Sequence, residues 1–174
     1  ILAATTIAIY VFVYTPMKKW HSSNTLVGAI PGAIPPMIGW VGAGGSWSDA
    51  GGWFLFAFLF LWQLPHFVAI SWLCREEYEN AGYKMWSNGD VKGLRTARLY
   101  NFFSVGLIVL GVLGASMGLY SHWVGGIHAL IVVAMMLPML TYGKKVDRSN
   151  MRKGFFGTLI YLPIVLLGLA FAWG

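Results

Sequence analysis

Charge is what this 174-residue sequence lacks most. Only 10% of its residues are Asp, Glu, Lys or Arg, against 57% hydrophobic and 16% aromatic, and its mean hydropathy is +0.65. So little polar surface cannot cover a water-soluble core of this size, which excludes an ordinary soluble domain and makes the chain a membrane protein. Cysteine is almost missing too: Cys74 stands alone. That excludes an internal disulfide and every multi-cysteine metal site, and leaves a buried, inert thiol as the expected role. Acidic residues are few, six against twelve basic ones. The basic residues flank apolar runs and form no recognition helix or aromatic sheet, so no nucleic-acid partner is expected.

What the sequence does have is long apolar runs, at 1–14, 26–44, 53–74, 100–120, 123–142 and 155–173. A spanning helix needs about twenty such residues, so these predict one partial and five full transmembrane spans in a single all-α domain. The first run has only fourteen residues and opens at Ile1. It lacks the basic front and cleavage site of a signal peptide. It is therefore expected to be half of a helix, in a fragment of a longer protein.

All twelve Lys and Arg fall in three alternate connections: Lys18 and Lys19; Arg75, Lys84, Lys92, Arg95 and Arg98; and Lys144, Lys145, Arg148, Arg152 and Lys153. The positive-inside rule places these on the cytoplasmic face or its equivalent. Trp20, Trp40, Trp47, Trp53, Trp123 and Trp173 sit near run ends, where amphipathic rings anchor at the interface. Gly28 with Gly32, and Gly111 with Gly114 and Gly118, are spaced to let a neighbouring helix approach closely. Pro31, Pro35 and Pro36 remove amide donors and are expected to bend or break the second span. Either packing or a cavity beside 32–39 would accommodate the carbonyls they free.

Three polar groups fall on the basic face: Lys18 and Lys19 following Tyr14; Glu76, Glu77 and Glu79 around Tyr78; and Arg95 with Arg98. Acids beside bases at one membrane mouth suit a polyanion held through a divalent cation, because carboxylates and phosphates share Mg²⁺ while Lys and Arg neutralise the remaining charge. A solvated mixed-charge loop would carry the same residues. His66, inside a span and just after Pro65, is a functional candidate by position. It is either a neutral side chain hydrogen-bonded to a neighbouring helix, with Gln63 as a second packed polar residue, or a metal ligand or proton carrier.

Two stretches, YTPMKKWHSSNTLVGAIPGAIPPMIGW from Tyr14 and FLWQLPHFVAISWLCREEYENAGYKM up to Met85, resemble the protohaem IX farnesyltransferases, or haem O synthases, of the UbiA superfamily of intramembrane prenyltransferases. The resemblance rests on Tyr14-x-x-x-Lys18, Asn24-Thr25, the GAIPGAIPP run, Trp62-x-x-Pro65-His66-Phe67 and Glu77-Tyr78-x-x-Ala81-Gly82-x-x-Met85. Beyond Met85 it is looser.

The resemblance implies a bundle of nine transmembrane helices around a central cavity, of which this chain would be the C-terminal six. It implies two acidic motifs, with Glu76 to Glu79 in the second and the first lying outside residues 1–174. Relatives generally carry Asp where this chain has Glu77.

The implied reaction transfers farnesyl from farnesyl diphosphate to a vinyl group of haem B, with water adding, to give haem O for terminal oxidase assembly. The implied catalytic residues are Lys18, Glu77 and Tyr78, with Glu76 and Glu77 holding Mg²⁺. Tyr14, Lys19, Asn24, Arg75 and Arg95 would bind substrate, Tyr14 and Arg95 at the diphosphate, and Trp62 and His66 would meet the tetrapyrrole. A bacterial cytoplasmic membrane is the expected location. The rival readings are a quinone or chlorophyll prenyltransferase, a transporter, and a structural subunit of a respiratory complex. With part of the carboxylate set outside it, residues 1–174 alone are expected to be inactive.

Overall fold

The computed structural model describes residues 1–140 and 145–173. Lys144 of the third basic connection and the end of the fifth apolar run at Tyr142 lie outside the described residues. Every described element is helical: α1 (Leu2–Ala8), a π-helical stretch (Ile9–Tyr14), α2 (Thr15–Trp20), α3 (Asn24–Gly42), α4 (Ala50–Leu73), α5 (Arg75–Asn80), α6 (Leu94–Ser116), α7 (His122–Met136) with a 3-10 turn (Leu137–Met139), and α8 (Arg148–Ala172). Five of these helices, α3, α4, α6, α7 with its 3-10 turn, and α8, are long and apolar enough to cross a membrane. The chain is an integral membrane helical bundle.

The helices outrun the apolar stretches. The first continues through Trp20, so Lys18 and Lys19 stand on its last turn, where cations complement the carbonyl end of a helix. α6 and α8 begin at Leu94 and Arg148, before their apolar runs do. Long Lys and Arg stems carry their charges out to water while the backbone beneath remains hydrogen-bonded. α3 is not broken: Pro31, Pro35 and Pro36 all lie inside one continuous helix. Proline's fixed φ suits a helix, and the lost donors and the crowding of each ring against the carbonyl four residues back do not end α3.

α4 is the central helix and packs against α3, α6 and α8, while α6 and α8 both pack on α7 and α1 lies on α3. The main core joins Phe58, Trp72, Tyr100, Leu107, Met139, Met151 and Tyr161. Within it the buried Tyr100 hydroxyl donates to the Gly154 carbonyl at 3.0 Å, and the Tyr161 hydroxyl lies within hydrogen-bond distance of His128 Nε2. Gly111 and Gly114 are close-approach glycines. His128 occupies the space a Cβ on Gly111 would take, and a Cβ on Gly114 would lie 2.5 Å from the Phe54 ring. Gly118 is not one of them. It follows α6 in a turn at φ +74°, with no neighbour where a Cβ would stand.

The two ends of the bundle differ in chemistry. At one, the basic connections are tied together, Lys84 N–H donating to the Lys18 carbonyl at 2.7 Å and Val146 N–H to the Lys92 carbonyl at 3.0 Å. At the other, Trp40 meets Trp173 at 5.8 Å, and Phe54 meets Tyr120 at 5.7 Å. The charged residue there is Asp49. The Trp40 indole and the Ser46 amide both donate to its carboxylate and hold it below the usual carboxylate range.

Candidate active site

The site begins with the π-helical turn. Thr15 directs both its amide and its hydroxyl at the Tyr10 carbonyl five residues back, the hydroxyl at 2.8 Å. Pro16, with no amide hydrogen, cannot restore the ordinary pattern at the next position. The widened turn brings Tyr10 and Tyr14 together, with ring centroids 5.0 Å apart and planes tilted by 52°. Lys18, one turn on, places its Nζ 4.4 Å from the Tyr14 centroid and 5.9 Å from that of Tyr83. An ammonium over aromatic faces is attracted by the negative face of each ring.

Below these rings lies a cavity of about 440 Å³. α1 and the π turn contribute Thr6, Ile7, Tyr10, Val11 and Tyr14; α3 contributes Thr25, Gly28, Pro31 and Gly32; α4 contributes Gln63, Phe67 and Ile70; Tyr78 and Met85 close the basic end. Two bare glycines make the room. A Cβ on Gly28 would lie 2.6 Å from Tyr14 Cε2, and one on Gly32 would collide with the Gln63 amide oxygen. Tyr14 and Tyr78, on elements far apart in the sequence, thus share one cavity. Burial raises the Tyr78 phenol above its ordinary value, and the nearby acidic groups of Cys74, Tyr83 and Glu77 add to the shift. It stays protonated, a donor, across the physiological range.

The acids divide by what holds them. Glu79 accepts from the Gly89 amide at 2.8 Å. Asp90 accepts from the Thr96 amide and hydroxyl at 2.8 and 2.7 Å and so starts α6. Glu76 pairs with Arg75 at 3.2 Å, and the Arg75 guanidinium lies 4.6 Å from the Trp72 ring centroid. Glu77 is exposed and has no partner among the described residues. Nor, among the described residues, do three His, Cys, Asp or Glu side chains converge on one point. A carboxylate free of structural partners, next to a protonated phenol and on the face that carries Lys18, fits Mg²⁺, which takes one or two protein carboxylates and fills its shell with phosphate oxygens and water.

The remaining candidates lie elsewhere. Lys19 is exposed. Asn24, 1% exposed, donates to the His21 carbonyl at 2.8 Å and the Lys84 carbonyl at 2.6 Å. It clasps two loops together. Arg95 donates to the Asn88 carbonyl and lines a second hollow of about 350 Å³ with His21, Lys84 and Trp86. Trp62 and His66 turn toward α8: the Trp62 indole donates to the Thr158 carbonyl at 2.7 Å, His66 Nδ1 lies 2.9 Å from the Thr158 hydroxyl, and Phe155 stacks on His66 at 4.8 Å. Neither lines the cavity. The face of α4 that does is Gln63, Phe67 and Ile70, whose i, i+4, i+7 spacing was readable as one stripe but not as the stripe facing the cavity.

The family model for the UbiA prenyltransferase family matches residues 1–160. Among curated proteins, the chain is 39% identical to the mitochondrial protoheme IX farnesyltransferase of Arabidopsis thaliana, covering 97% of this chain and 39% of that one. It is also 39% identical to the protoheme IX farnesyltransferase of Anaeromyxobacter dehalogenans, covering 97% and 57%, and 41% identical to the mitochondrial protein of that name from Emericella nidulans, covering 96% and 36%. The chain thus spans roughly a third to three fifths of the length of these relatives. No solved structure matches it.

Proposed function

Because this chain belongs to the UbiA prenyltransferase family, we propose that the whole protein transfers a farnesyl group from farnesyl diphosphate to a vinyl group of haem B, with addition of water, giving haem O and pyrophosphate. The observation that carries this reading is the meeting of Tyr14 and Tyr78 on one largely apolar cavity, with Lys18 above it.

Each part of that arrangement suits a step in the chemistry. Lys18 offers a positive charge at the mouth, and the two phenols offer hydrogen bonds to diphosphate oxygens as charge builds on the leaving group. Lys19, Arg75 and Arg95 add positive potential on the same face. Asn24 fixes the loops that carry them. Glu77, with Glu76 beside it, would hold Mg²⁺, which when bound neutralises the departing pyrophosphate. The walls below exclude bulk water from an allylic cation, and the rings of Tyr10, Tyr14 and Phe67 present electron-rich faces to it. Trp62 and His66 are the proposed tetrapyrrole contacts, on the α8 side of α4. His66 Nδ1 is committed to Thr158, which leaves Nε2 for the substrate. The proposed setting is a bacterial cytoplasmic membrane with the basic end inside, and the product would supply terminal oxidase assembly.

The test is to incubate the whole protein with haem B, farnesyl diphosphate and Mg²⁺ and to resolve the pigments by mass, alongside quinone precursors as competing acceptors. Haem gaining farnesyl plus water is the expected result. Prenylation of a quinone precursor with haem unchanged would overturn the proposal.

A further inference from the structure

The cavity has a polar mouth, an apolar middle and a polar far end. Tyr14, Thr25 and Tyr78 stand at the mouth with Ile70 close by, Val11 and Phe67 lie deeper, and Gln63, seated against Gly32, lies at the far end with Thr6 of α1 also on the wall. Gly32 lies eight residues into α3 from Asn24, and Gln63 ten residues before the end of α4 at Leu73. At a rise of 1.5 Å per residue, that sets the bottom about 12 to 15 Å beneath the basic face.

Gln63 is not a loose side chain. Its Nε2 donates to the Leu59 carbonyl at 3.0 Å and the Ala29 carbonyl at 3.4 Å, and its Oε1 occupies the space that a Cβ on Gly32 would need. The amide is pinned from two helices, its own α4 through Leu59 and the facing α3 through Ala29, and is seated against the bare backbone of Gly32 on α3. Hydrocarbon pressed past it would have to break both of the bonds that its Nε2 donates, which is unfavourable in an apolar interior.

Resting on the farnesyl-transfer reading, we propose that Gln63, seated against Gly32, is the floor of the prenyl subsite and sets the accepted chain at three isoprene units. The twelve main-chain carbons of a farnesyl group, joined by bonds of about 1.5 Å, zigzag over about 14 Å. That is the distance from mouth to amide. A two-unit chain leaves a gap above the floor, and a four-unit chain must displace the amide.

The experiment uses the whole protein and diphosphates of two, three and four isoprene units, with haem B as acceptor. Gln63→Ala opens the floor, and the ratio of four-unit to three-unit kcat/KM should rise at least about tenfold, the size of effect a few methylenes have in an apolar pocket. Gly32→Ala pushes the amide toward the mouth, and the preference for three units over two should shrink by about the same factor. Gln63→Met keeps the bulk without the amide and should also admit the longer chain, which covers the case in which Gln63→Ala fails to fold. A parallel series measures thermal protection by non-hydrolysable prenyl thiodiphosphates of the same lengths and is independent of the acceptor. Wild-type length preference in the folded Gly32 and Gln63 variants overturns the inference. A wild type that selects the three-unit analogue yet never alkylates haem overturns the haem reading and leaves the length gauge standing.

Discussion

Glu77 and Tyr78 are neighbours with opposite circumstances, and each supports its own expectation. Glu77 is exposed and unpaired among the described residues, so its removal costs the fold little, since surface changes away from special features stay within about 0.5 kcal/mol. Glu77→Gln should therefore lower haem O formation by about 100-fold or more, the scale of losing one electrostatic contact to the transition state, with the thermal midpoint unmoved. Steady-state kinetics and a melting curve on the same preparation check both halves.

Tyr78 is half-buried, and its folded value is raised above the ordinary 10.0. A group raised on folding contributes stability that is fully present below its unfolded value and is lost as pH rises through its folded one. Tyr78→Phe should thus flatten the fall in melting temperature as pH rises above the ordinary tyrosine value of 10.0. An alkaline limb identical to the wild type would show that the phenol does not titrate with unfolding.

At the scale of the element, the π-helical turn Ile9–Tyr14 places Tyr10, Tyr14 and Lys18 in one column. π turns recur at functional sites because they re-aim side chains without breaking the helix. Pro16 helps maintain this one by withholding a donor. Pro16→Ala should let the turn relax toward α geometry and rotate Lys18 away from the Tyr14 face. The expected outcome is a KM for farnesyl diphosphate raised by about tenfold, as when a charged hydrogen bond is weakened, while thermal stability holds or improves. Unchanged KM in the folded variant would show that the turn does not depend on Pro16 or that Lys18 reaches the diphosphate from either geometry.

At the scale of the molecule, the basic connections are tied together at one end by the Lys84–Lys18 and Val146–Lys92 bonds, while Asp49 lies at the opposite end among aromatic rings. The positive-inside rule then predicts which end faces out. In a Cys74→Ala background, Ser48→Cys should react with a membrane-impermeant maleimide on intact cells. Lys92→Cys should react only after permeabilisation. The reverse pattern would place the diphosphate mouth on the outer face.

Class, number of long helices and the basic end were legible in the sequence because they depend on composition and one-dimensional period: apolar runs must be helical in lipid, where every backbone polar group needs an internal partner. The Tyr14-to-Lys18 signature came from the resemblance and not from composition or period. Which carboxylate stands without a partner was not legible, since Glu76, Glu79 and Asp90 differ from Glu77 in the partners supplied by Arg75, Gly89 and Thr96. Nor was the working face of α4 legible. Its sequence is apolar all round, so periodicity could not choose between the His66 stripe and the Gln63 stripe. Tertiary structure decided it: α8 offers Thr158 to His66, while α3 offers the bare backbone of Gly32 to Gln63, and a helix buried on several sides takes its orientation from what its neighbours can accept.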